Sequence, residues 1–140
     1  MIDLTSTFGR TVKGHLENEY VIWLTTVDSN LAPQPRPVWF IWENDSFLIF
    51  SQAKAYKVAH IKRNPKVALH FNTDETGDHH VMIFIGDASI ESNSPPAHRI
   101  AAYFEKYKDG IAALDMTPEG FSNEYSVAIR IHPTELRGWE

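Results

Sequence analysis

The sequence predicts a mainly β protein with flanking helices, built as a six-stranded antiparallel barrel. Three observations carry that prediction. Six short segments rich in β-branched and aromatic residues follow one another through connections of turn-forming residues. Helical spacing of apolar residues appears in only three places. The 140 residues suffice for one core and one domain, and an antiparallel meander of this size usually closes on itself to remove its exposed edges.

The elements follow in order. Phe8, Val12 and Leu16 recur at helical spacing, although Gly9 and Gly14 each weaken a helix by about 1 kcal/mol relative to alanine. The segment Tyr20 to Val27 reads as a strand, and Asp28, Ser29 and Asn30 turn the chain into a second, Arg36 to Trp42. Glu43, Asn44 and Asp45 make the next turn, into Phe47 to Ser51. The period then changes. Val58 and Ile61 lie three apart among helix formers, and Pro65 stops that helix near Asn64. Val67 to Phe71 and Val81 to Ile90 read as strands around a polar loop in which Gly77 permits a positive φ. A helix after Pro95 and Pro96 places Ile100, Tyr103, Phe104 and Tyr107 on one face. The last strand, Tyr125 to Ile131, is expected to end before His132 and Pro133.

Composition excludes several classes. With 43% hydrophobic and 22% charged residues the chain has enough apolar material for a core and is not a disordered tail. The absence of cysteine removes disulfide scaffolds, cysteine-ligated metals and thiol nucleophiles. No apolar run has the length of a spanning helix or of a signal peptide, so a cytoplasmic protein without membrane partners is expected. The net charge of -5 opposes nucleic-acid binding, which needs a basic footprint. The charges are unevenly placed, however. No acid occurs between Asp45 and Asp74, where Lys54, Lys57, Lys62, Arg63 and Lys66 all lie.

That basic island contains the strongest chemical signal. A strand ending at Ser51 feeds a helix that carries Lys54 and Lys57 in its first turns. Free amides, the positive end of the helix dipole, a hydroxyl and an ammonium together suit a phosphate. The same spacing suits solvated surface lysines; the missing acids favour the anion. The run from Pro33 to Trp42 is the second signal. Three prolines in five residues place this strand at an edge, and Trp39 and Trp42 face opposite ways, one toward a core and one toward a pocket fit for a flat ring. His79 and His80 beside Asp74, Glu75 and Asp78 read as a solvated loop rather than a metal site, because adjacent strand residues face apart. No Gly-x-Ser-x-Gly, P-loop or Gly-x-Gly-x-x-Gly is present, and no carboxylate pair stands out for acid–base work. A bound cofactor that supplies the reactivity fits this pattern better than side-chain chemistry.

Four segments taken together, WLTTVDSNLAPQPRPVWFIW, FLIFSQAKAYKVAHIKRNPKVALHF, IFIGDASI and YSVAIRIHPTELRGW, resemble the pyridoxamine-5′-phosphate-oxidase-like split β-barrel flavoproteins. Within them the chain looks most similar to the small coenzyme F-420-dependent enzymes. The resemblance implies a homodimer with FMN or F-420 at the subunit interface and a small-molecule substrate. By position it implies that Lys57, Ser51 and Gln52 hold the cofactor phosphate and that Arg36 replaces a family arginine. Pro37, Val38 and Trp39 would then meet the ring edge, and Trp139 would reach the other subunit's cofactor. Tyr56 stands where the true oxidases have an arginine, and their carboxy-terminal substrate arginine is missing, which argues against pyridoxine chemistry. The expected activity is hydride transfer; a non-catalytic flavin or tetrapyrrole carrier is the alternative.

Overall fold

The computed structural model describes residues 1–140. Helix α1 (Thr7–Asn18) is followed by β1 (Val21–Val27), β2 (Pro33–Trp39), β3 (Ile41–Glu43) and β4 (Ser46–Ser51). After α2 (Tyr56–Arg63) come β5 (Lys66–His70) and β6 (Val81–Glu91), then a single 3-10 turn at Ala97–Arg99, α3 (Ala101–Ala113), α4 (Pro118–Glu124) and β7 (Val127–Trp139). All strand pairs are antiparallel, and the sheet order is β2-β1-β5-β6-β7-β4-β3. The two edge strands, β2 and β3, are separated only by Phe40, so the sheet must curl to bring its edges toward each other. The result is an open, curled sheet consistent with a split barrel. No helix is long and apolar enough to cross a membrane.

The strand count corrects the expectation of six. The segment Arg36 to Trp42 is not one strand, because the chain changes partner inside it: Trp39 pairs with Val21 on β1, whereas Ile41 pairs with Leu48 on β4. Between them the amide of Phe40 donates to the Tyr107 hydroxyl at 2.8 Å, and that hydroxyl donates toward the Phe40 carbonyl at 2.9 Å. A side chain thus supplies the partner that a ladder would otherwise provide. Helix α4 was also not anticipated, although Thr117 caps it by accepting from the Gly120 amide and Pro118 opens it. The last strand does not stop at His132. Pro133 is accommodated at a bulge, where Gly86 pairs with Pro133 and Ile85 with Glu135, leaving Thr134 over. A Cβ on Gly86 would meet the His132 carbonyl at 2.6 Å, so glycine lets the two strands approach there.

Local chemistry accounts for most of the remainder. Ser6 caps α1 by accepting from the Gly9 amide at 2.9 Å. Asp28 holds the first turn by accepting from the Asn30 and Ala32 amides, each at 2.9 Å. Those bonds, led by the one from Ala32, keep its carboxyl below the usual aspartate range. Asn44 and Asp45 both take positive φ, which suits a tight two-residue hairpin. The prolines Pro33, Pro35 and Pro37 occupy every second position of edge strand β2, so their missing donors all lie on one side, away from β1.

Two apolar clusters divide the interior. The larger, of 17 buried residues, fills the barrel with α1, β1, β5 and β6 side chains such as Leu16, Leu24, Leu69 and Phe84. The smaller, of nine, lies outside the curl beneath α3 and α4 and centres on Phe50, Tyr103, Tyr107 and Phe121. Strand β4 separates them and is buried on both faces, Phe47 and Ile49 pointing to the first and Leu48 and Phe50 to the second.

Candidate functional site

A cleft of about 520 Å³ opens where the ends of β2 and β4 meet α2, α3 and α4. One end is polar. Ser51, the last residue of β4, is buried and donates to the Gln52 carbonyl at 3.1 Å. Lys57, in the first turn of α2, points its Nζ at the Ser51 hydroxyl at 3.5 Å. Gln52 donates its amide to Glu124 of α4 at 3.1 Å, which ties this end of the cleft to the helical layer. No side chain caps Ala55 at the start of α2, and the first turn contains no acid.

Lys57 is half-buried and has no carboxylate partner. Burial, aided by the nearby positive charge of Arg36, holds its ammonium below the usual lysine range. An anion would offset both effects. The donor set of hydroxyl, ammonium and open helix terminus fits a phosphate group.

The other end is aromatic. Trp39 stacks on Tyr107 at 4.5 Å and 6°, and on Phe121 at 5.7 Å and 21°. Phe121 in turn stacks on Tyr125 at 4.6 Å. Tyr103 meets Phe50 edge-on at 5.0 Å. Gly110 of α3 makes the wall possible, since a Cβ there would collide with the Tyr20 hydroxyl and come within 3.0 Å of the Trp39 ring. Trp42, as its opposite strand direction predicts, packs against Phe47 at 5.0 Å in the barrel cluster.

The structure gathers six of the residues singled out in the sequence, Pro37, Val38, Trp39, Ser51, Gln52 and Lys57, around this one cleft. Arg36 is exposed and lines a neighbouring recess of about 460 Å³ that shares Ala55 and Lys57 with the cleft. Lys54 is not in the helix as expected. The backbone turns at Ala53 and Lys54 before α2 begins at Tyr56, and Lys54 is exposed and lines neither cavity. Trp139 lies at the end of β7 opposite Val81, 56% exposed, with its indole donating to the Asp78 carbonyl, and does not line the cleft of its own chain. Of the two tryptophans it is Trp39 that lines the cleft, and its ring also stacks on Tyr107 and Phe121. Tyr103, Phe121 and Tyr125 were not foreseen as lining residues. The helical spacing that marked Tyr103 announced burial, and only the packing of α3 and α4 turns that face to a cleft.

An open, curled antiparallel sheet with a phosphate-compatible join beside an aromatic cleft is consistent with a split β-barrel. Residues 8–140 match the family model described as pyridoxamine 5′-phosphate oxidase, and the chain belongs to that family. Among curated proteins nothing matches. Solved structures share the fold at low identity. A pyridoxamine 5′-phosphate oxidase homologue from Listeria innocua is 23% identical, with a TM-score of 0.67 over 91% of this chain and 94% of that one. An F-420 reductase is 23% identical, with a TM-score of 0.66 over 89% and 94%. A heme storage protein from Vibrio cholerae is 18% identical, with a TM-score of 0.64 over 91% and 92%. The fold thus serves proteins of different function, and the chemistry has to be argued from the cleft.

Proposed function

We propose that the protein is an oxidoreductase that binds a flavin-type cofactor, F-420 or FMN, in this cleft and moves hydride to or from a small unsaturated substrate. The observation that carries the reading is Lys57, a half-buried ammonium with no carboxylate partner, aimed at a buried serine hydroxyl beside an aromatic chamber. Ser51 and Lys57 hold the cofactor phosphate by charge-assisted hydrogen bonds, Gln52 borders it, and Arg36 adds positive charge from the adjoining recess. Pro37, Val38 and Trp39 present backbone and ring edge to the heterocycle. When bound, the cofactor supplies the redox chemistry, and the chain binds, orients and excludes water.

The protein acts as a homodimer in this reading, with Trp139 contributing from the second copy. That assignment suits its exposure and its place outside the lining of the cleft of its own chain. Likeness of the subgroup motifs favours F-420 over FMN. Tyr56, 81% exposed where the oxidases have a phosphate-binding arginine, speaks against pyridoxamine phosphate as substrate.

Titration of the purified protein with FMN, FAD and F-420, followed by cofactor fluorescence and gel filtration, tests the assignment. One of them should bind selectively to a dimer. Lys57→Ala should weaken that binding by about 1.5–3 kcal/mol, as for a lost charge-assisted hydrogen bond. Affinity should fall as pH rises through the depressed pKa of Lys57, below the ordinary 10.5, because the phosphate is held by the protonated form. Affinity unchanged by Lys57→Ala would remove the phosphate assignment. Binding without turnover of the reduced cofactor would replace the enzyme with a carrier.

A further inference from the structure

The aromatic half of the cleft contains one polar group that the protein itself leaves unused. Tyr103 is 1% exposed, wedged between Phe50 and Tyr107. Its neighbour Tyr107 uses its hydroxyl three times, accepting from the Phe40 amide and facing the carbonyls of Phe40 and Tyr20. The Tyr103 hydroxyl has no hydrogen-bond partner in the protein, yet no side-chain oxygen sealed from solvent lacks a partner. The sliver of Tyr103 that remains accessible therefore includes its hydroxyl, and the opening it meets is the cleft that Tyr103 lines. Native proteins seldom leave a buried donor idle, because an unmade bond costs more than a made one returns.

We infer that Tyr103 determines substrate specificity by donating a hydrogen bond to an oxygen of an uncharged, flat substrate held in the aromatic half of the cleft. The inference rests on the reading that the Lys57 end takes the cofactor phosphate, which leaves this half for the substrate. A phenol there is a donor: burial, and next the neighbouring Tyr107, push its pKa well above the usual tyrosine value, so it keeps its proton. The substrate is uncharged because Trp39, Leu114, Phe121 and Tyr125 offer no charge at this end and no carboxylate lines the cleft. An ion would be desolvated without a partner. It is flat because the walls are planar, with Phe121 and Tyr125 stacked within 21°.

Three probes of one shape test this by calorimetry: acetylnaphthalene, which carries a neutral oxygen acceptor, ethylnaphthalene, which has none, and naphthoate, which is anionic. Each is titrated into the full-length protein and into Tyr103→Phe, with and without saturating F-420 or FMN. Acetylnaphthalene should lose roughly three- to tenfold in affinity in the variant, the worth of one neutral hydrogen bond, while ethylnaphthalene stays within about twofold. With the cofactor phosphate in place at Lys57, naphthoate should bind the unmodified protein at least about tenfold more weakly than acetylnaphthalene. The melting temperature should not move, since no protein bond is removed. Equal affinity of acetylnaphthalene for both proteins, absence of its binding, its displacement by the cofactor, or naphthoate binding as tightly would each overturn the inference. A loss shared by all three probes together with a lower melting temperature would assign Tyr103 a packing role instead. Should F-420 or FMN bind while Tyr103 makes no difference, only this inference fails. Should neither cofactor bind while the Tyr103-dependent preference persists, the oxidoreductase reading fails and recognition of an uncharged ligand stands.

Discussion

The barrel cluster and the helical cluster are both apolar and well buried, but they are built differently. Inside the barrel, Leu24, Leu69, Phe84 and their neighbours are side chains without hydrogen-bonding tips, arranged mostly by the alternation of strands. Outside it, Tyr103 meets Tyr107 and Phe121 in tilted ring contacts, Trp39 stacks on Tyr107 and Phe121, and the Tyr107 hydroxyl bonds the backbone of Tyr20 and Phe40, far away in the chain. Hydrocarbon packing is non-directional and supplies most of the stability, whereas rings with polar tips specify one arrangement. The difference teaches that the barrel bears the fold while the helical cluster sets the shape of the cleft. Loss of a barrel side chain should act on stability alone, and loss of a bond that holds the helical cluster together should act on stability and ligand binding at once.

The largest effect should come from the barrel. Phe84 is fully buried and meets Phe47 edge-on at 5.1 Å and Phe71 at 6.0 Å. Phe84→Ala should cost about 3–5 kcal/mol in urea unfolding, through lost burial and the cavity left behind. Cofactor affinity of the fraction that remains folded should be unaltered. A changed affinity would show that the two clusters are mechanically coupled across β4.

A smaller effect is expected at the hinge of the helical cluster. Tyr107→Phe keeps the stacking on Trp39 but strands the Phe40 amide, and should cost about 1–3 kcal/mol. Unlike the barrel variant it should also shift Trp39 fluorescence and weaken cofactor binding. Should stability fall with the fluorescence unmoved, Tyr107 would serve the strand break and not the cleft.

Lys106 gives the smallest effect and sharpens the comparison at the seam between the clusters. Its Nζ lies 3.8 Å over the Phe40 ring and donates to the Phe40 carbonyl at 2.8 Å. Burial lowers its pKa to about 8, against a weaker opposing pull from Glu19. Because the unfolded lysine, near 10.5, binds the proton more tightly than the folded one, stability should rise as pH climbs from about 8 toward about 10. The rise should be on the order of 1 kcal/mol for a side chain only half-buried, and Lys106→Met should abolish it. A variant whose melting curves keep the same pH slope would place the titrating group elsewhere.

The barrel was largely legible in the sequence because its rules are local. Strand alternation, the turns at Asp28 and at Asn44 with Asp45, and the helix stop before Pro65 each depend on residues within a few positions, and the structure has them where those residues imply. The polar end of the cleft was legible for the same reason: Ser51, Gln52 and Lys57 span a single strand-to-helix join. Even there a local rule fell short at Lys54, since helix propensity does not say at which residue the first turn closes.

By itself the sequence determined an antiparallel barrel, its edge strand of alternating prolines and an anion-compatible join, through periodicity and chain-local chemistry. Only the tertiary structure decided that Arg36 to Trp42 breaks at Phe40, because the hydroxyl that replaces the ladder there comes from a residue 67 positions away. Only it decided that Trp39 stacks within the wall and that Tyr103 lines the cleft, since both depend on how α3 and α4 settle on β4. The physical reason is one of range. A repeating pattern states which face of an element is buried, whereas what meets it there is fixed by close packing between segments far apart in the chain.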